Sequence, residues 1–146
     1  MIISDQGANA IKTYEGCKLA SYLPTSRDVP TIGYGATGPD IALGMHWTQT
    51  QADGRFAGDL KRFSLSLSNL LGNVPTTQFQ FDAMAALVYN IGMGAFASST
   101  VLRKHRARDY AGAAAAFGLF DKQSGVVVPG LAKRRAAEAL MYRRTA

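Results

Sequence analysis

Glu15 stands a short way ahead of the run Thr31-Ile32-Gly33-Tyr34-Gly35 and is one of only two glutamates in 146 residues. A carboxyl group and a hydroxyl brought together across a turn suit the cleavage of a glycosidic bond. One acid protonates the leaving oxygen while a water, held on the opposite sugar face, attacks. A glutamate half-buried between a helix end and a hairpin loses hydration, which favours the protonated form that a proton donor needs. Thr31, on the returning strand, would hold the attacking water by hydrogen bonds. The competing reading of Glu15 is an ordinary surface acid at a helix end.

Other chemistries fit the residues less well. Gly33-Tyr34-Gly35-Ala36-Thr37-Gly38 matches the GxGxxG pattern of dinucleotide sites, but Pro39-Asp40 and further loop follow where a phosphate-binding helix should begin. These glycines instead let the backbone turn tightly and leave an open wall for an extended ligand. There is no GxSxG elbow for a serine nucleophile. Two histidines, His46 and His105, and a lone Cys17 give no zinc-ligand pattern and no internal disulfide. Cys17 reads as a small hydrophobe beside the helix end, and both histidines as surface or packing residues.

The elements that must position Glu15 and Thr31 follow from local signals. Ser4 caps a first helix with Ala8, Ile11 and Tyr14 on one face and Gly16 as its stop, so Glu15 falls on the last turn. A carboxylate there opposes the helix dipole, a poor choice for stability alone. Residues 18–35 read as a β-hairpin: Leu19 to Leu23, a turn through Thr25-Ser26-Arg27-Asp28, then Val29 to Tyr34. Pro24 and Pro30 make both arms edge-like. Thr48-x-x-Gln51 is a capping box opening an amphipathic helix with Phe56, Leu60, Phe63, Leu67 and Leu70 at steps of four and three, ended by Gly72 and Pro75. Thr77-x-x-Gln80 opens a second, with Phe81, Met84, Leu87, Val88 and Ile91 inward and Gly92 as its stop. Ser98 or Ser99 starts a short basic helix, and Asp109 caps an alanine-rich one ending near Phe120. A loop over Lys122 to Gly125 leads to Val126-Val127-Val128-Pro129, and a last helix runs from about Leu131 to Tyr142. The sum is one small β region inside a mostly helical chain.

The hydrophobic fraction of 47% and charged fraction of 18% support a packed core and one domain's worth of chain. No apolar run is long enough to span a bilayer, and Met1-Ile2-Ile3-Ser4-Asp5 shows no secretory signal, so the expected site of synthesis and residence is a cytoplasm. The net charge of +6 is uneven: residues 101–108 and 131–146 each carry +4, leaving −2 for the rest. Such patches attract anionic polymers, or are simply solvated helix faces.

Glu15-Gly16-x-x-Leu19, Tyr22 and Thr31-Ile32-Gly33-Tyr34-Gly35 resemble the amino-terminal signature of phage-type lysozymes, glycoside hydrolase family 24. Gln80-Phe81-Asp82-Ala83, Tyr89-Asn90-Ile91-Gly92-x-Gly94-x-Phe96 and Ser99 to Lys104 resemble the family's central helices. Val128-Pro129-Gly130-Leu131-x-x-Arg134-Arg135-Ala136-x-Glu138 resembles its closing segment. The resemblance spans nearly the whole chain. It implies a two-lobed α+β lysozyme-like fold: a β-hairpin lobe at about 16–47, a connecting helix at about 48–71, and a helical lobe at about 76–146 that includes the N-terminal helix. It further implies hydrolysis of the β-1,4 bond between N-acetylmuramic acid and N-acetylglucosamine in peptidoglycan, without metal or organic cofactor. The expected protein is a monomeric endolysin that leaves the host cytoplasm for the wall once the membrane is permeabilised. Its basic helices would meet anionic wall or outer-membrane polymers rather than nucleic acid.

In that family the glutamate is the general acid, while an aspartate and the threonine organise the water, roles that pass to Glu15 and Thr31. The aspartate's usual place, two residues after the tyrosine, is Pro24 here, and Asp28 is the nearest replacement. Strand alternation would turn Asp28 and Thr31 to opposite faces unless a bulge or turn intervenes; otherwise Asp28 only caps the turn. Tyr34 and Asn90 are the expected sugar contacts, Asn90 having a helix cap as its alternative. The family's frequent histidine after the GYG run is Ala36. A cation from Lys133, Arg134 or Arg135, with Arg134 put forward, would orient Glu15. Glu138 reads as one end of a surface i,i+4 pair. Two rivals remain: a lytic transglycosylase, which needs one acid and no placed water, and a non-enzymatic cationic module binding lipid or nucleic acid.

Overall fold

The computed structural model describes residues 1–26 and 28–145. Arg27, in the expected hairpin turn, lies outside the described residues.

The first helix, α1 (Asp5–Glu15), begins where Ser4 Oγ accepts the Gly7 N–H and ends at Gly16, whose φ of +62° lets its N–H return to the Lys12 carbonyl. Glu15 is therefore its last residue. The Asp82 carboxylate fastens this helix to the body of the molecule: it accepts the Ser4 N–H at 3.0 Å and the Ser4 hydroxyl. Gly7 allows the approach, since a Cβ there would lie 2.7 Å from Asp82 Cγ.

Strands β1 (Lys18–Tyr22) and β2 (Thr31–Gly33) pair antiparallel. Lys18 faces Gly33 and Tyr22 faces Thr31, so β1 bulges between those pairs. The segment at 45–47 lies along the other edge of β1 through Ser21 N–H to the Met45 carbonyl (2.9 Å) and Trp47 N–H to the Leu19 carbonyl (2.8 Å). Ile32, Ala36 and Ile41 are buried against Met45 and Trp47, a small core that belongs to this lobe.

Helix α2 (Gln49–Leu71) opens on the expected reciprocal Thr48–Gln51 box and spans 23 residues. Arg55, on α2, donates to Asp40 (2.7 Å), the Thr37 carbonyl (2.8 Å) and Asp59 (3.0 Å), tying the loop after β2 to this helix. A second buried cluster, Ile11, Phe56 and Ala86 with Tyr34 and Tyr89 beside it, forms where α1, α2 and the next helix meet. That helix, α3 (Gln78–Ile91), opens on the Thr77–Gln80 box, and every residue from Gln80 to Val88 is buried. A helix this apolar all round runs through the centre of its lobe.

Around it lie α4 (Met93–Ala97), α5 (Thr100–Arg106, capped by Ser99), α6 (Tyr110–Ala116, capped by Asp109) with a 3₁₀ turn at Phe117–Phe120, and α7 (Pro129–Tyr142). The main core fills the space between them with Phe81, Met84, Leu87, Phe96, Val101 and Phe117, all fully buried. Two elements were not expected. α4 has only five residues, too few to show a periodicity. The stretch expected as a loop is a second hairpin, β3 (Lys122–Gln123) with β4 (Val126–Val127). Its turn residues Ser124 and Gly125 both have positive φ, +51° and +79°, as a tight hairpin requires. α7 starts two residues early because Pro129 suits the first helical position.

Candidate active site

Three separate segments converge on one open cleft of about 420 Å³: Glu15 from the end of α1, Asp28 and Thr31 from the hairpin, and Tyr89 and Asn90 from the end of α3. Gly35 and Thr37 continue its wall and also line a neighbouring hollow of about 250 Å³ with Asp59, Arg62 and Phe63. The opening is therefore a groove longer than a single sugar site.

Glu15 reaches the groove because Gly16 stops its helix there. One carboxylate oxygen, Oε1, accepts from Arg134 Nη2 at 3.2 Å. The other, Oε2, lies where a Cβ on Gly35 would be 3.1 Å away, and Gly35 has a φ of +82°. Only glycine gives the turn this conformation and this clearance. Tyr89 donates its hydroxyl to the Tyr34 carbonyl in the same turn. Burial, and secondly the Glu15 carboxylate, raise the Tyr89 phenol, so it stays protonated and keeps that bond.

Thr31 is buried, and its hydroxyl donates to the Val29 carbonyl at 3.0 Å. With its proton committed, the oxygen can only accept from a further partner. Asp28 accepts the Thr25 hydroxyl at 2.9 Å, and its N–H donates to the Thr25 carbonyl at 3.1 Å. It thus caps the turn and lines the groove at once. The objection from strand alternation does not apply, because β2 begins only at Thr31 and Asp28 lies outside it, before Pro30. Pro24 lines the same cleft.

Among the three candidate cations, Arg134 is the one on Glu15. Its guanidinium also stacks over Tyr14, 4.8 Å from the ring centroid. The Asn90 carbonyl oxygen accepts from Arg135 Nη1 at 3.0 Å. The Tyr34 ring lies away from the groove, on Phe56 (centroids 4.9 Å apart), with its hydroxyl near Gln49 and Asp53. Glu138 corrects the sequence reading: it is 3% exposed, not a surface residue. The i,i+4 spacing with Arg134 holds, at 3.4 Å, but the pair is inside, and Arg135 approaches Glu138 to 2.6 Å. Burial pushes the Glu138 carboxyl up to about 7, against the pull of Arg135 and Arg134. Gly35 stands in the wall that the glycine-rich turn was expected to leave open, whereas Tyr89 was missed as part of the site.

A carboxyl, a hydroxyl with free lone pairs and a second carboxylate, set along an open groove, form the donor set for protonating one oxygen and holding a water. The family model described as phage lysozyme matches residues 12–138. The endolysin of Salmonella phage P22 is 39% identical over 146 residues, covering 97% of this chain and 98% of its own. That of Bacillus phage PZA is 39% identical over 144 residues, but the chain spans only 55% of its length. Among solved structures, an endolysin from Escherichia coli O157:H7 phage FAHEc1 superposes with a TM-score of 0.85 at 36% identity, covering 98% and 94% of the two chains. The muramidase domain of SpmX from Asticaccaulis excentricus gives 0.87 at 31% identity and 98% of each chain. Matched by the family model over residues 12–138 and by relatives along nearly its whole length, the chain belongs to the phage lysozyme family.

Proposed function

We propose that this protein is an endolysin that hydrolyses the β-1,4 bond between N-acetylmuramic acid and N-acetylglucosamine in peptidoglycan. The observation that carries this reading is the meeting of Glu15, Asp28 and Thr31 on one groove. Glu15 donates its proton to the departing glycosidic oxygen, and Arg134, held on Oε1, fixes the carboxyl's rotation so that Oε2 delivers it. Thr31, its own proton given to Val29, accepts a hydrogen bond from the attacking water. Asp28 takes up that water's proton as the bond to the sugar forms. Asn90 has its oxygen engaged by Arg135, which leaves its amide N–H groups to donate to the glycan. Tyr34 serves through its backbone, whose carbonyl anchors Tyr89 in the groove wall. The groove's continuation past Thr37 suits a polymer cut internally.

The chain acts on the cell wall as a monomer, made in the host cytoplasm and released when the membrane is breached. The exposed Arg103 and Arg106 of α5, Lys133 of α7 and Arg143 and Arg144 just after it draw the chain to anionic wall polymers. A transglycosylase would need no placed water, and Asp28 beside Thr31 in the groove is the observation against it. The test is wall clearing by Glu15→Gln: a loss of about a hundredfold or more is expected from removing a general acid. Clearing that survives the substitution would overturn this reading in favour of membrane damage by the basic helices.

A further inference from the structure

Behind Glu15 lies a cluster of three buried charges, of which the cleavage described above uses Arg134 and, through Asn90, Arg135, but not Glu138. Arg134, Arg135 and Glu138 are 6%, 1% and 3% exposed. Arg134 stands between two carboxylates, with Nη2 on Glu15 at 3.2 Å and Nε facing Glu138 at 3.4 Å. Arg135 pairs with the same Glu138 oxygen at 2.6 Å and reaches on to Asn90. The pairing is incomplete: Arg134 Nε, Arg135 Nε and Glu138 Oε2 have no hydrogen-bond partner among the described residues. A buried ionic cluster with unsatisfied members is a poor device for stability, since the desolvation of its charges offsets most of their attraction. Its geometry makes better sense as a means of setting one cation between two anions.

We propose that Glu138 is a positioning residue for the proton donor, dividing the Arg134 cation between itself and Glu15. This rests on the reading of Glu15 as the general acid. When Glu138 is ionised it draws on Arg134, weakens that cation's hold on Glu15 and so lets the donor keep its proton to higher pH. When Glu138 is protonated, Arg134 belongs to Glu15 and favours its ionised form. Burial pushes the Glu138 carboxyl up to about 7, so the division of Arg134 between the two sites changes near neutrality. Other titratable or charged groups face the pair from α1, α3, the hairpin and α7 itself. Tyr89, from α3, faces Glu15 and is held protonated by burial. Tyr14, from α1, stacks on Arg134. Asp28 lines the same groove from the hairpin, and Arg135 lies on the helix of Glu138 itself.

The chain is well suited to the test, because Glu15 and Glu138 are its only glutamates and isotope labelling of glutamate carboxyls gives two resonances. In the unmodified protein each resonance should titrate in two steps at shared pH values. In Glu15→Gln, Arg134 has only Glu138 left, and the Glu138 midpoint should fall by about half a unit or more. In Glu138→Gln the alkaline limb of the kcat–pH profile should move toward acid while KM stays within about twofold. Independent one-step titrations with an unmoved Glu138 midpoint would overturn the proposal. They decide it even if Glu138→Gln does not fold, and they are separate from the survival of activity in Glu15→Gln, which would overturn the reading beneath it.

Discussion

Thr31 and Asp28 both line the groove, and the bonds they already make define what each can offer a water there. The Thr31 hydroxyl has given its proton to Val29, so replacing it by valine removes an acceptor at nearly constant volume. Thr31→Val should lower kcat by about tenfold or more with KM little changed, since a group that orients the nucleophile acts in the transition state. Hydrolysis of labelled wall material at saturating and limiting substrate separates the two constants. Asp28 performs two jobs, and one substitution divides them. Asparagine keeps an oxygen for the Thr25 hydroxyl but has no carboxylate to accept a proton. Asp28→Asn should keep the melting temperature and lose turnover by about tenfold or more; unchanged turnover would leave Asp28 as a turn cap only.

At the scale of elements, the site depends on where backbone segments stop and turn. Gly35 lets the turn after β2 pass beside Glu15. Gly35→Ala would strain a residue at φ +82° and press a Cβ within 3.1 Å of Oε2. The backbone strain is about 1–2 kcal/mol. A melting temperature lower by a few degrees and a more than proportionate loss of wall clearing are the expected result, checked by thermal unfolding beside activity. Helix starts at Ser4, Thr48, Thr77 and Asp109 were legible in the sequence, and that at Ser99 to within one residue, because a cap is a local bond over three residues. α4 and the β3–β4 hairpin were not, being too short to carry a period. Glu138 was misread because i,i+4 spacing looks the same on a surface as in a core; only packing by α3 and the 3₁₀ turn buries that face of α7. Asp28 could not be aimed from sequence either, since alternation fails outside a regular strand.

Across the whole molecule, two buried groups give the stability opposite dependences on pH. His105 is fully buried, with its ring nitrogens 2.8 Å from the Thr76 hydroxyl and 2.5 Å from the Tyr142 hydroxyl, and burial lowers it to about 4. Below its ordinary value of 6.5 the unfolded chain takes up a proton that the folded one refuses, so this group's stabilisation is lost as the pH falls toward 4. Glu138 runs the other way. Its folded value near 7 lies above the ordinary 4.5, so its contribution is full below 4.5 and is lost as the pH rises through 7. Between about 4.5 and 6.5 the two offset, and the melting temperature should vary little. His105→Gln removes one arm, so the melting temperature should then fall with rising pH over that window; a slope unchanged from the parent would contradict this assignment. The central claim concerns what attacks the sugar. Digesting purified peptidoglycan in heavy-oxygen water and weighing the fragments tests it most directly. The account predicts reducing N-acetylmuramic acid ends that carry the solvent's oxygen, and their absence with Glu15→Gln. Anhydro ends without the label, or the same labelled fragments from Glu15→Gln, would contradict it.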